Sequence, residues 1–248
     1  MPLPRVAPLL ADGFTDLVLG SSCVGCGRAG RALCTTCRGR FPTHAHPAWP
    51  TPTPTGLVPP FATGPYEDLL RAMVLAHKER RVLALARHLG DLLARSVAAA
   101  LGPVQGSPVV LVPVPSRQAA VRQRGHDPTA AMTRCAARAL SAHGIPVHAA
   151  RLLRLRPGVA DQAGLDARGR AANLAGSMAA SSAVVRRLAE RFPRAHVVVC
   201  DDVLTTGATL REAQRALETA GVPVLAAATV AATRRRGPST LPSSPRTD

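Results

Sequence analysis

The chain has 248 residues, enough for one sizeable α/β domain with a small appendage. Its hydrophobic content of 46% suits a globular protein, and no apolar run approaches the roughly 18 residues of a membrane-spanning helix. A formal charge of +16 favours anionic ligands, but aromatics are only 2%, which argues against a general single-strand stacking surface.

Lys78 is the only lysine among 31 basic residues, the amino-acid usage of a GC-rich genome. The charge therefore points to anionic ligands in general and does not single out DNA. The first 20 residues carry leucines and an arginine, but Asp12, Gly13 and Asp16 break the apolar stretch. They read as a short amphipathic lead-in helix and not as an export signal, so a cytoplasmic protein is expected.

Composition divides the chain into residues 1–41, a cysteine-rich unit with its lead-in helix, and residues 42–60, a Pro/Thr-rich extended linker. A globular body over 61–232 and a polar tail over 233–248, expected to be disordered, complete it. Cys23, Cys26, Cys34 and Cys37 form two CxxC pairs seven residues apart. Two such turns can present four thiolates to one tetrahedral zinc. A disulfide pair competes poorly without an export signal, and a redox CxxC needs a single motif on a βαβ unit. His44 and His46 lie nearby, but four cysteines already fill a zinc shell. The expected role is structural, because so short a segment has little core of its own.

In the body, residues 66–80 and 81–101 have apolar side chains at three-and-four spacing and predict two amphipathic helices. Residues 107–115 predict a buried strand closed by prolines. Residues 129–144 predict a helix ending at Gly144, where a left-handed cap belongs. Residues 146–155 predict a strand, 181–192 a helix with serine caps, and 194–200 a strand. A helix over 208–221 and a strand over 222–232 complete the pattern. Alternation of this kind predicts a parallel α/β sheet with helices on both faces. Cys135 and Cys200 read as small core residues.

The stretch "VVVCDDVLTTGATL" carries the chemistry. A buried strand delivers Asp201 and Asp202 to the carboxyl edge of the sheet, where α/β proteins bind ligands. Thr205, Thr206, Gly207, Ala208 and Thr209 follow at a helix N-terminus, offering hydroxyls and N–H groups to a phosphate. Gly207 would permit close approach. Carboxylates repel phosphate, but they accept hydrogen bonds from vicinal hydroxyls or hold a hydrated Mg²⁺. Together these residues describe a ribose 5-phosphate site.

The same stretch resembles the 13-residue PRPP-binding motif of type I phosphoribosyltransferases. The chain from Cys23 to about Thr233 is similar to the ComF (competence protein F-like) family, which joins a four-cysteine zinc finger to a type I phosphoribosyltransferase domain. "LVPVPSRQAAVRQRGHDPTA" and "DQAGLDARGRAANLAGSM" resemble that family's V-P-V-P…R-x-R-G-F-N and Q-x-x-L…R-x-x-N-x-x-G segments. The resemblance implies that Asp201 and Asp202 contact the ribose hydroxyls and act in catalysis. It implies further that residues 205–209 hold the 5-phosphate and that Pro115 and Ser116 lie near pyrophosphate. Arg122, Arg124 and Gly125 would line the same cleft, and Gln162, Arg170 and Asn173 match the family's mobile-loop pattern.

Two positions depart from that pattern. The family's R-G-F-N-Q-A stands here as Arg124-Gly125-His126-Asp127-Pro128-Thr129, and its lysine–tyrosine pair as Lys78-Glu79. Besides a PRPP-sensing regulator, two readings stay open. One is a phosphoribosyltransferase-like protein that binds PRPP with Mg²⁺, transfers the phosphoribosyl group to an acceptor and is linked to DNA uptake. The other is a non-catalytic module binding single-stranded DNA or competence and recombination proteins.

Overall fold

A computed structural model of the chain describes residues 22–102, 106–156 and 176–233. The expected lead-in helix and nearly all of the expected tail lie outside these residues.

The core is a six-stranded sheet of β1 (His46–Pro47), β2 (Pro60–Pro65), β3 (Val109–Pro113), β4 (Val147–Ala149), β7 (His196–Leu204) and β8 (Val224–Ala232). Their spatial order is β1-β2-β8-β7-β3-β4. Only β1 runs antiparallel to its neighbour; every other pairing is parallel. Two further strands, β5 (Leu153–Leu155) and β6 (Met178–Ala180), form a separate antiparallel pair. The expected single strand over 146–155 is thus two. After Ala150, whose N–H still donates to the Leu111 carbonyl, the chain turns away, Leu152 donating its N–H back to the Ala150 carbonyl, and Val147–Ala149 form the strand paired with β3.

All five residues of β3 are buried, as a strand covered on both faces requires. One face packs against α2 (Asp68–Lys78), α3 (Leu85–Leu101) and α5 (Pro128–Ala142), with Met73, Leu92 and Met132 beneath Leu111, Val198 and Ala228. The other packs against α7 (Ala208–Thr219), where Leu210, Ala213 and Leu217 meet Val110, Val112 and Val199. Gly90 sets how closely α3 and α5 approach. A Cβ on it would fall 2.4 Å from the Cβ of Cys135 and 3.0 Å from the backbone of Ala136. Cys200 is fully buried, in keeping with a packing role.

Two further short helices are α4 (Gln118–Arg124), which follows β3, and α6 (Ser182–Arg191). Ser181 stands at the N-cap of α6 but makes no side-chain capping bond. Gly144 has φ 81° just beyond the end of α5, the left-handed position expected from its place in the sequence.

The cysteine unit shares the main core. Cys23, Leu33, Cys37 and Phe41 join the cluster that includes Leu70 and Met73 of α2, and Thr35–Arg38 forms a one-turn helix, α1. Residues 42–60 are docked on the body and include β1 and a turn in which the Leu57 N–H donates to the Pro54 carbonyl. The Ala48 N–H donates to the Pro60 carbonyl, and Arg211 and Gln214 of α7 donate to the carbonyls of Thr55 and Gly56 at 3.0 and 2.9 Å.

Candidate functional site

β7 does not stop at Cys200 but runs on to Leu204, so Asp201 and Asp202 lie inside its second half. Each accepts a bond from the next backbone N–H at 2.8 Å, Asp202 to Asp201 Oδ1 and Val203 to Asp202 Oδ1. Lys78, at the end of α2, donates from Nζ to Asp202 Oδ2 at 2.6 Å. Burial of Asp201 and the adjacent Asp202 charge push its carboxyl up to about 8, against the pull of the Lys78 cation. The acid pair therefore meets a cation from 124 residues away, held on Asp202, and reads as a preorganised polar site.

A cleft of about 530 Å³ opens over this pair. Asp201, Asp202, Thr205, Thr209, Pro115, Ser116 and Arg124 all line it, gathered from β7, its following loop, the start of α7, the exit of β3 and the end of α4. Tyr66, Lys78, Glu79, Arg117 and Thr129 line it too. Pattern reading alone had no hold on Tyr66, Arg117 or Thr129. Tyr66 follows the end of β2, a strand hidden by its two prolines and glycine, and is the only tyrosine in the chain.

The remaining expected residues lie elsewhere. Arg122 lines a second cavity of about 310 Å³ with Arg151 and Arg154, on the other side of the wall formed by Val114, Pro115 and Ser116. Thr206, Gly207 and Ala208 belong to the loop and the start of α7 but not to the wall of the cleft. Gly207 has φ 76°, and a Cβ on it would meet Pro50 at 3.0 Å and Leu57 at 3.1 Å. Its missing side chain makes room for the docked Pro/Thr-rich segment. Arg170, with Gln162 and Asn173, lies outside the described residues.

The two departures prove to be neighbours. Arg124 donates from one nitrogen to both oxygens of Glu79, at 3.0 and 2.8 Å. His126 packs against His77 with ring centroids 5.4 Å apart and shares a bond with the His77 carbonyl. Burial lowers the pKa of His77, which favours the neutral ring. Asp127 caps α5 by accepting from the Ala130 N–H at 3.1 Å, with Pro128 in the first turn, where its missing N–H costs nothing. The Ser116 hydroxyl donates to Asp127 Oδ1 at 3.1 Å, and Arg151 pairs with its other oxygen at 3.3 Å. The acid and proline are a helix start that also ties down the loop after β3.

The four cysteine sulfurs lie within 4.8 Å of one another, and those of Cys26 and Cys34 are 3.7 Å apart. Four sulfurs at roughly 2.3 Å from a tetrahedral zinc stand about 3.8 Å apart, so the cluster suits that ion. Burial works to raise the Cys23 thiol, but the N–H groups of Cys34, Cys26 and Gly25 outweigh it and bring it down to about 6. These N–H groups favour a thiolate at this corner of the cluster.

A mostly parallel sheet flanked by helices, with an acid pair at its carboxyl edge, defines a phosphoribosyltransferase-like α/β fold, here joined to a four-cysteine cluster. Residues 147–243 match the family described as phosphoribosyl transferase domain. Among solved structures the chain is similar to a glutamine mutant from an analysis of an invariant aspartic acid in HPRTs. Identity there is 18% and the TM-score 0.35, covering 63% of this chain and 73% of that one. It is also similar to a Trypanosoma cruzi hypoxanthine phosphoribosyl transferase, at 18% identity and TM-score 0.35 over 63% of this chain and 70% of that one. No curated protein matches the chain. Among the described residues no helix is long and apolar enough to cross a membrane.

Proposed function

We propose that the chain binds PRPP with Mg²⁺ in the cleft over Asp201 and Asp202 and transfers the phosphoribosyl group to an acceptor. The observation that carries this is the meeting, in one cleft, of the acid pair, Thr205 and Thr209, and the Pro115–Ser116 turn. Vicinal ribose hydroxyls would donate to the carboxylates, the 5-phosphate would meet the Thr205–Thr209 loop, and pyrophosphate would lie toward Ser116, Arg117 and Arg124. The match over residues 147–243 supports the phosphoribosyltransferase part of this reading.

The carboxylates of Asp201 and Asp202 are hard oxygen donors of the kind Mg²⁺ takes. When bound, Mg²⁺ would neutralise charge on the departing pyrophosphate. The chain's own contribution is to orient the ribose by its hydroxyls and to hold cationic donors where negative charge accumulates. The four cysteines would hold a structural zinc, and the expected setting is the cytoplasm. The resemblance to the ComF family extends the proposal to a part in DNA uptake.

Isothermal titration of PRPP with Mg²⁺ tests the reading. The wild type should bind, and Asp201→Asn/Asp202→Asn should bind at least tenfold more weakly, the loss of charged hydrogen bonds worth roughly 1.5–3 kcal/mol. Equal affinity removes the assignment.

One observation favours the second reading, a non-catalytic module for single-stranded DNA or a competence or recombination protein. Arg124 is paired with Glu79 in this arrangement, so pyrophosphate would reach it only by displacing that carboxylate. Binding to a single strand that weakens steeply as salt rises would support that reading, and no binding at low salt would remove it.

A further inference from the structure

Arg122, Arg151 and Arg154 face the second cavity from three separate places: α4, the turn after β4, and β5. The one carboxylate in that lining is Asp127, and both of its oxygens are already engaged. Oδ1 accepts from the Ser116 hydroxyl and the Ala130 N–H, each at 3.1 Å, and Oδ2 meets Arg151 at 3.3 Å. Arg122 and Arg154 form no ion pair among the described residues. Three guanidinium groups against one carboxylate leave a net charge of +2 around a single hollow. Like charges gathered in this way repel, and an anion placed among them removes the repulsion.

The charge and the floor together say what anion fits. A carboxylate brings one negative charge, whereas a phosphate monoester brings nearly two and three acceptor oxygens. Only the second balances the lining, and arginine forks match phosphate oxygens well. The floor is apolar: Val114, Val121, Leu153 and Leu155 line the same hollow. Val114 and Leu153 are buried in the cluster under α7, so this surface is fixed. The volume of about 310 Å³ lies at the small end of ligand sites and admits one compact body. Val114, Pro115 and Ser116 separate the cavity from the cleft over the acid pair, and none of its three arginines lines that cleft.

We propose that this cavity is a second ligand site, taking a phosphate monoester with a compact apolar body, its phosphate held among Arg122, Arg151 and Arg154. The site stands whether or not PRPP binds over Asp201 and Asp202. Asp127 is its internal competitor, because the carboxylate and the ligand both draw on Arg151. That competition belongs to this chain, whose Asp127 is one of the departures noted in the sequence.

Phenyl phosphate is the probe, titrated by calorimetry into the full chain beside inorganic phosphate. It should bind saturably, and roughly threefold or more tightly than inorganic phosphate, because the ring covers the apolar floor. Arg154→Gln should weaken it about tenfold, the scale of a lost charged hydrogen bond. Arg154 is exposed on β5, so that variant should melt with the wild type. Asp127→Asn should bind the probe about threefold more tightly, since asparagine still caps α5 but no longer pairs with Arg151. Thr205→Val/Thr209→Val, which removes hydroxyls from the loop after β7, should leave the affinity unchanged. No binding by the wild type, or equal binding by the wild type and Arg154→Gln, overturns the site. Affinity lost in Thr205→Val/Thr209→Val places the probe in the acid-pair cleft and overturns it too. Weaker binding by Asp127→Asn overturns the part given to Arg151, and inorganic phosphate bound as tightly as the probe overturns the ligand class.

Discussion

Lys78 Nζ lies 2.6 Å from Asp202 Oδ2, so the only lysine in the chain, 124 residues away in sequence, is spent on the acid pair. The lysine side chain is 37% exposed and the carboxylate 11%, so the pair is partly screened, worth about 1 kcal/mol. Lys78 competes with any cation at Asp202. Lys78→Met should raise Mg²⁺ affinity roughly fivefold, read by calorimetric titration of Mg²⁺ alone. Unchanged or weaker Mg²⁺ binding would mean that the acid pair does not take the ion.

The bidentate grip of Glu79 on Arg124 sets a second expectation. Glu79 is half exposed, so the pair contributes little to stability, up to about 1 kcal/mol. Glu79→Gln should therefore fold normally and bind Mg²⁺–pyrophosphate about threefold more tightly, because Arg124 is released toward the cleft. Arg124→Ala should show no such gain. Equal pyrophosphate affinity in the wild type and both variants would exclude Arg124 from the ligand's surroundings.

The cysteine cluster shares the core of the main body, because Cys23 and Cys37 pack with Leu70 and Met73. Metal analysis should find one zinc per chain. Stripping it with a chelator, or Cys26→Ser, should lower the melting temperature by about 10 °C, several kcal/mol at 2–4 °C each. A stable body after zinc loss would show that the finger is an independent attachment.

Gly90 gives a test of packing alone. An alanine there gains up to about 1 kcal/mol of helix propensity but must displace Cys135 and the backbone of α5, an overpacking cost of roughly 1–3 kcal/mol. Gly90→Ala should lose about 1 kcal/mol net in denaturant unfolding, and Gly90→Ala/Cys135→Ala should recover part of it. Stabilisation by the single change would mean that α3 and α5 stand further apart.

The α/β alternation was legible wherever β-branched runs and amphipathic stripes are strong, as in β3, β7, β8 and the long helices. β2 was not, because Pro60, Gly64 and Pro65 read as loop; β1 pairs on its outer side, and the strand is kept by its pairing with β8. The helix Gln118–Arg124 has no buried residue, so it offers no periodicity to find. At the site, local pattern was enough to bring out Asp201, Asp202, Thr205 and Thr209. It could not reveal the partners of Asp202 and Arg124, which arrive from α2 across long sequence separations. Nor could it assign Gly207, where close approach was expected from a phosphate and is taken up by Pro50 and Leu57.

The central claim is a ribose bound by its hydroxyls at Asp201 and Asp202. A crystal structure grown with PRPP and Mg²⁺ tests it most directly. The account predicts the ribose hydroxyls on the two carboxylates, the 5-phosphate at the Thr205–Thr209 loop and pyrophosphate toward Ser116. Density for the sugar away from the acid pair, or a phosphate chain lying across Asp201 and Asp202, would contradict it.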